Sequence, residues 1–314
     1  MSNINYSIII PHKNIPQLLQ RCLDSIPIRD DVQVIVVDDN SDTDKVNFDN
    51  FPKWKGKNYE YYLTKEGKGA GYARNVGLEH TKGEWLLFAD ADDYFLSSIN
   101  ILFENIDSYK AEDIIYFRPT AERHDTHEAC DNLNFINDYI DNYIKTGEES
   151  PLRVWWDSPW GKLIRHSLIK KGNIRFEEIK YGNDHLFVVK AGCAADKIAL
   201  FDETCYVYTI SKFSLTSDFM KKPGEIACRA ETYIKSLREI QKTHYKYDEL
   251  TTLYFLDQTR NKDIKHFCQL FNYLNEIQGI RKIDLLRSSF NSYSRMQRWM
   301  FYAKTLILSK IYRF

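Results

Sequence analysis

Two apolar, strand-length runs that each end in carboxylates constrain this sequence more than any other feature. Val32–Asp39 reads VQVIVVDD, and residues 84–89 read EWLLFA ahead of Asp90, Asp92 and Asp93. Continuous apolar runs of this length suit strands buried on both faces, as in parallel sheets covered by helices. A third run at residues 6–11 (YSIIIP) precedes Ile15, Leu18, Leu19, Cys22, Leu23 and Ile26, which recur at helical spacing. Residues 59–64 form a weaker strand, and the glycines Gly67, Gly69 and Gly71 lead into a helix over about residues 72–80. The alternation of strand and helix predicts an α/β fold built on a mainly parallel sheet flanked by helices. Open sheets of this kind bind ligands where the loops leave the carboxyl ends of the strands, so both acidic ends face one crevice.

The pattern loosens after residues 113–117, with a helix near residues 133–145, a tryptophan-rich stretch, a helix starting near Asn183 and a late strand or hairpin at residues 198–209. Strand signals stop near Pro223. The expected organisation is therefore an α/β domain over residues 1–215 and a helical extension over residues 216–314. A length of 314 residues accommodates both. A formal net charge of -1 gives no global attraction to nucleic acid. The six cysteines form no CxxC pair, so reduced thiols and a cytoplasmic setting are expected. No stretch reads as a leader peptide or a membrane span, which leaves surface contact as the expected way to meet a membrane.

Chemistry concentrates in three places. Asp90, Asp92 and Asp93 at a strand end suit a hard divalent cation, Mn²⁺ or Mg²⁺, shared with substrate phosphates. Taken alone, the Asp-x-Asp reads more readily as a solvated acidic turn capping the next helix. Asp38 and Asp39 can accept hydrogen bonds from a nucleobase N–H or from ribose hydroxyls, while Ser41 or Asp42 can cap a helix. Lys65, Lys68 and Arg74 flank a glycine-rich approach to a helix N-terminus, an arrangement suited to a diphosphate. That segment fails the dinucleotide fingerprint, because Arg74 stands where the third glycine belongs. The eight histidines lack metal-binding spacing. Trp155, Trp156, Trp160 and Tyr181 could offer a sugar platform, although core packing suits at least two of them.

Pro11 and Asn14 after the first strand, Val37–Ser41 (VDDNS), Ala73–Gly77 (ARNVG) and Phe88–Asp93 (FADADD), in this order and spacing, resemble family 2 of the inverting glycosyltransferases with the GT-A fold. The similarity extends over about residues 4–210, through Trp160-Gly161-Lys162-Leu163 and Tyr181–Phe187 (YGNDHLF). It implies transfer of a sugar from a nucleotide-sugar, expected to be a UDP-sugar, to an acceptor hydroxyl in polysaccharide or glycan synthesis. It also implies that Pro11, Asp38 and Asp39 line the nucleobase pocket, Arg74 lies near the nucleotide, Asp90 meets the ribose and Asp92 holds the metal. Asp184 is implied as the base that takes the acceptor's proton. The sequence departs from the family at His12 and at Asn183, where relatives often carry Glu. Asn183 could also cap the following helix, with Asp184 favourable to its dipole. Two rival readings are a sugar-1-phosphate nucleotidyltransferase, whose glycine-rich signature after the first strand is missing, and a non-catalytic nucleotide-sugar or glycan-binding module.

Residues 281–314 hold eight Lys and Arg against the single acid Asp284. Met296, Trp299, Met300, Ala303, Leu306, Ile307 and Ile311 recur there at helical spacing. The expectation is a basic amphipathic helix that either lies on an anionic membrane near a lipid-linked acceptor or docks on the protein itself or a second copy.

Overall fold

The computed structural model describes residues 4–210, 224–259 and 263–274. The chain divides into two compact units, Met1–Ser217 and Asp218–Phe314. The first holds β1 (Tyr6–His12), α1 (Pro16–Ser25), β2 (Val32–Asp39), β3 (Asn58–Thr64), α2 (Ala70–Glu79), β4 (Trp85–Phe88), β5 (Tyr94–Phe95) and α3 (Ser98–Glu104). It continues through β6 (Ile114–Arg123), α4 (Asn134–Thr146), β7 (Lys162–Arg165), α5 (His166–Lys171), α6 (His185–Ala194) and β8 (Ile198–Ile210).

All eight strands join one sheet in the order β3-β2-β1-β4-β7-β6-β8-β5. Every residue of β1 and β2 is buried, as continuous apolar runs require. Ile8 of β1 lies opposite Val34 of β2 on one side and Leu87 of β4 on the other, both pairings parallel. The chain thus leaves β1 in one direction and returns on its other side, so the switch point, where open sheets of this kind bind ligands, lies between the loops after β1 and β4. Helix α1 starts with Pro16, whose fixed φ suits that position, and buries Leu19, Cys22 and Leu23 against the sheet. Burying each such leucine contributes about 1.5–3 kcal/mol.

The second half of the sheet is mixed. β7 runs antiparallel to β4 and β6, and β5 runs antiparallel to β8, whereas β6 and β8 are parallel. Four residues of β7 are too few to show a period, which is why the sequence pattern loosens here. The register of β6 against β8 shifts at Phe117/Arg118 and at Arg118/Pro119, where proline removes a ladder donor. Phe88 meets Phe176 and Phe187 at centroid distances of 5.1 and 5.4 Å and seals the core beneath the crevice.

The second unit contains α7 (Glu225–Ile240), α8 (Glu249–Thr259) and α9 (Ile264–Asn272). Ala230, Leu237, Leu256, Phe267, Leu270 and Phe271 form its own apolar core. Among the described residues, no helix is long and apolar enough to cross a membrane. The basic helix expected over residues 281–314 lies outside the described residues.

Candidate functional site

The loops after β1 and β2 are locked to each other by side chains. Asn14 donates its backbone N–H to Ser41 Oγ at 2.8 Å, and its side-chain amide donates to Asp42 Oδ2 and accepts the Asp42 backbone N–H. Asp38 takes Ser41 N–H and Oγ–H at 2.8 and 2.6 Å and lies 2.7 Å from His12 Nδ1. His12 Nε2 accepts the Ile15 N–H, so Nδ1 carries the proton and donates it to Asp38. Burial works against the Asp38 charge, yet the bonds from His12 and Ser41 outweigh it and hold the carboxyl below its usual range. Asp38 therefore fastens two loops. Pro11 is buried in β1 opposite Val37.

Asp39 faces the crevice differently. Its Oδ2 accepts Gly69 N–H at 2.9 Å and lies 3.4 Å from Lys13 Nζ. Its Oδ1 is buried and has no hydrogen-bond partner among the described residues. An unmet buried acceptor is costly, so this atom is ready for a donor from a ligand. Gly69 precedes α2 with φ of 92°, a backbone conformation that L side chains rarely adopt. Lys65 and Lys68 are exposed on this approach.

Arg74 of α2 is buried and does not present a free cation. It donates to Asp90 Oδ1 at 2.6 Å and to Asn183 Oδ1 at 2.9 Å, with its guanidinium 5.3 Å from the Phe176 ring centre. The Asn183 loop comes this close because Gly71 has no side chain: a Cβ there would meet Glu177 O at 2.2 Å and Asn183 Cβ at 3.0 Å.

The three carboxylates after β4 do different work. Asp93 points into the core, where it accepts Tyr206 O–H and Thr209 N–H, each at 2.7 Å. Burial foremost, and the neighbouring carboxylates, push it well above its usual range. Tyr206 Oη accepts the Asp90 N–H at 3.0 Å, so β8 braces the acidic turn. Asp93 thus leaves the expected trio and serves the fold. Asp90 and Asp92 remain at the crevice, half-buried. Burial, and then the charge of Asp90, pushes the Asp92 carboxyl up to about 6. A divalent cation would relieve both effects, and the donor set fits Mn²⁺ or Mg²⁺ taking one or two carboxylates together with substrate phosphates and water. Among the described residues, no group of three or more His, Cys, Asp or Glu side chains could hold a metal by itself.

Asp184 occupies the N-cap position of α6, and its side chain makes no capping bond. The cap expected from Asn183 is thereby corrected, since Asn183 turns its oxygen to Arg74. Withdrawal from water raises the Asp184 carboxyl, Arg74 opposes that rise and Asp157 adds to it. Asp157 also reaches His185 Nδ1 at 3.4 Å. Behind them Lys162 is buried, donates to Trp156 O and Ser158 O, and sits 4.2 Å from the Trp156 ring centre. Burial drives its ammonium well below the usual range. Trp156, Trp160 and Tyr181 belong to the core, and only Trp155 of the four aromatics is partly open. Sequence reasoning missed the structural duties of Tyr206 and Arg21, which nothing in their local pattern marks.

Residues 7–172, more than half of the chain, match the profile described as Glycosyl transferase family 2. The chain is 29% identical over 214 residues to the poly(ribitol-phosphate) beta-glucosyltransferase of Bacillus spizizenii, a match covering 66% of this chain and 32% of that protein. It is 26% identical over 233 residues to the glycosyltransferase GlyA of Streptococcus pneumoniae, covering 69% and 32%. The matches to these two relatives thus span about a third of their length. Among solved structures, Staphylococcus aureus TarS 1–349 in complex with UDP-GlcNAc superposes with a TM-score of 0.64 at 21% identity, over 98% of this chain and 90% of that one. The mixed sheet flanked by helices is that of the GT-A glycosyltransferases, and the chain belongs to glycosyl transferase family 2.

Proposed function

We propose that this chain is an inverting, metal-dependent glycosyltransferase that moves a sugar from a UDP-sugar to a hydroxyl of a glycan or polyol acceptor during polysaccharide assembly. Residues 1–215 carry the reaction, and residues 216–314 form the helical extension. One observation carries the reading: Arg74 joins Asp90 on the donor side to Asn183, the neighbour of Asp184, so donor and acceptor carboxylates converge on one crevice. The buried, unmet Asp39 Oδ1 accepts a nucleobase N–H, and Asp90 receives a ribose hydroxyl. Asp92, with Asp90 beside it, would hold Mn²⁺ or Mg²⁺, which when bound neutralises charge on the leaving diphosphate. Asp184 takes the proton of the acceptor hydroxyl as its oxygen forms the new bond to the anomeric carbon. The bond to the nucleoside diphosphate breaks on the opposite face, which inverts the anomeric centre. The raised proton affinity of Asp184 suits this role.

The relatives support the substrate class. One is named as a poly(ribitol-phosphate) glucosyltransferase, and a structural neighbour was solved with UDP-GlcNAc. A panel of nucleotide-sugars tested for thermal stabilisation and slow donor hydrolysis, with Mn²⁺ or with EDTA, checks the reading. Stabilisation and hydrolysis by a UDP-sugar that EDTA abolishes is the expected result. Hydrolysis undiminished by EDTA removes the metal, and indifference to every UDP compound removes the donor.

A further inference from the structure

The acidic turn after β4 is held from behind by a residue that lies outside every motif discussed above. Arg21 projects from α1, and its Nη2 donates to the backbone carbonyl of Asp92 and, at 2.9 Å, to Thr209 Oγ1. On its other side Nη1 lies 3.7 Å from Glu122 Oε1, and the flat of the guanidinium covers the Tyr94 ring at 4.9 Å. Glu122 is itself fixed, since it accepts Tyr94 O–H at 2.9 Å and lies 3.0 Å from His127 Nδ1. One planar cation therefore ties together α1, the turn after β4, β6 and β8. A lysine could not, because a single ammonium lacks the fork that meets acceptors on two sides while stacking on a ring.

The carbonyl of a residue shares its Cα with the side chain, so fixing the carbonyl limits the directions in which that side chain can point. We infer that Arg21 is a positioning residue for divalent-cation binding: by clamping the Asp92 carbonyl against β6 and β8 it aims the Asp92 carboxylate into the crevice. The inference rests on the proposed metal role of Asp92. Outer groups that orient metal ligands typically cost about 10- to 100-fold in metal affinity when removed.

Metal and nucleotide binding are linked, so the gain in UDP affinity on adding Mn²⁺ reports the metal site without any turnover. Titration calorimetry of UDP into wild-type protein, Arg21→Gln and Arg21→Lys, each at one fixed Mn²⁺ concentration well below saturation of the free protein and again with EDTA, makes the measurement. The expected result is a Mn²⁺-dependent gain reduced about 10-fold or more in Arg21→Gln and only partly restored in Arg21→Lys, with affinity in EDTA unchanged. Thr209→Val, which removes one anchor of the clamp, is expected to lose about 3-fold of the same gain, and it decides the matter if both Arg21 variants fail to fold. A full gain in folded Arg21→Gln, or in Thr209→Val where that variant decides, overturns the inference. An equal loss with and without metal also overturns it, because Arg21 would then be a strut for the fold. A wild-type protein whose UDP affinity ignores Mn²⁺ overturns the metal reading of Asp92 and this inference with it.

Discussion

Replacing Arg74 tests whether one buried cation serves both halves of the reaction. Arg74→Gln keeps much of the side-chain length and removes the charge, whereas Arg74→Lys keeps the charge and loses the fork. The Arg74 side chain is 5% exposed and Asp90 30%, so their 2.6 Å pair is poorly screened by solvent. A charge-assisted hydrogen bond in such a setting is worth about 1.5–3 kcal/mol. If that interaction is needed to hold the transition state, kcat/KM for turnover of the UDP-sugar falls roughly 10- to 150-fold in Arg74→Gln. The pH profile supplies a second, sharper reading. In the proposed mechanism Asp184 must be ionised to accept a proton, so activity should be lost as pH falls through its pKa. Withdrawal from water raises that pKa and the positive charge of Arg74 opposes the rise. Removing the charge therefore lifts the pKa further, and the acidic limb of kcat/KM moves to higher pH. Arg74→Lys retains much of the opposing charge, so its limb moves less even though its rate also falls, because one ammonium cannot reach both Asp90 and Asn183. Initial rates across about pH 5 to 9 separate the two variants. An acidic limb in Arg74→Gln that stays in place, or moves to lower pH, refutes electrostatic coupling between Arg74 and the base.

Asp184→Asn is expected to bind UDP as the wild type does in calorimetry yet lose transfer by about 10²- to 10⁴-fold, and near-normal transfer would put the base elsewhere. Gly71→Ala places a Cβ 2.2 Å from Glu177 O, so the loop bearing Asn183 must move; turnover should fall more than thermal stability does, and an unchanged kcat would show that the loop tolerates the shift. Asp38 is held below its usual range by His12 and Ser41 against its burial, so its ionised form stabilises the fold above the unfolded pKa of about 3.9, and that contribution is lost as pH falls through the lower folded value. Asp38→Asn should accordingly lower the melting temperature at neutral pH and flatten its fall on acidification, and parallel acid profiles for the two proteins would contradict this.

The parallel half of the sheet was readable because its physics is local. Runs such as VQVIVVDD are buried on both faces, and their periodicity, length and acidic ends show directly in the letters. The family was readable where a motif keeps its members adjacent, as in FADADD. The site was not readable where a role depends on a distant partner. Asp38 and Asp39 are neighbours of one type, yet Asp38 is saturated by His12 and Ser41 while Asp39 keeps an oxygen unmet. Asp92 and Asp93 diverge in the same way, because Tyr206 and Thr209, more than a hundred residues away, claim Asp93. Nor could spacing foretell that Arg74 would be buried, since its partner Asn183 lies 109 positions on.

The neutrality of Asn183 bears on how this crevice divides its charge. A glutamate at this position would place a second anion on Arg74, and the guanidinium, already paired with Asp90, would have less positive field left for its surroundings. Asn183 instead accepts from Arg74 through an amide oxygen at 2.9 Å and carries no net charge. Arg74 then answers one anion by direct contact and still lowers the proton affinity of Asp184, which burial and Asp157 raise. The position of Asn183 is enforced by packing, with its Cβ near the first turn of α2 where only a glycine fits, and the electrostatic balance is thus built on backbone proximity. In the proposed reaction this balance suits a base: withdrawal from water would make Asp184 a better proton acceptor, and the nearby cation would keep enough of it ionised to act. Because the same cation touches Asp90, a charge bound beside Asp90 would alter the field at Asp184, and on the proposed reading this gives donor occupancy an electrostatic route to the acceptor side.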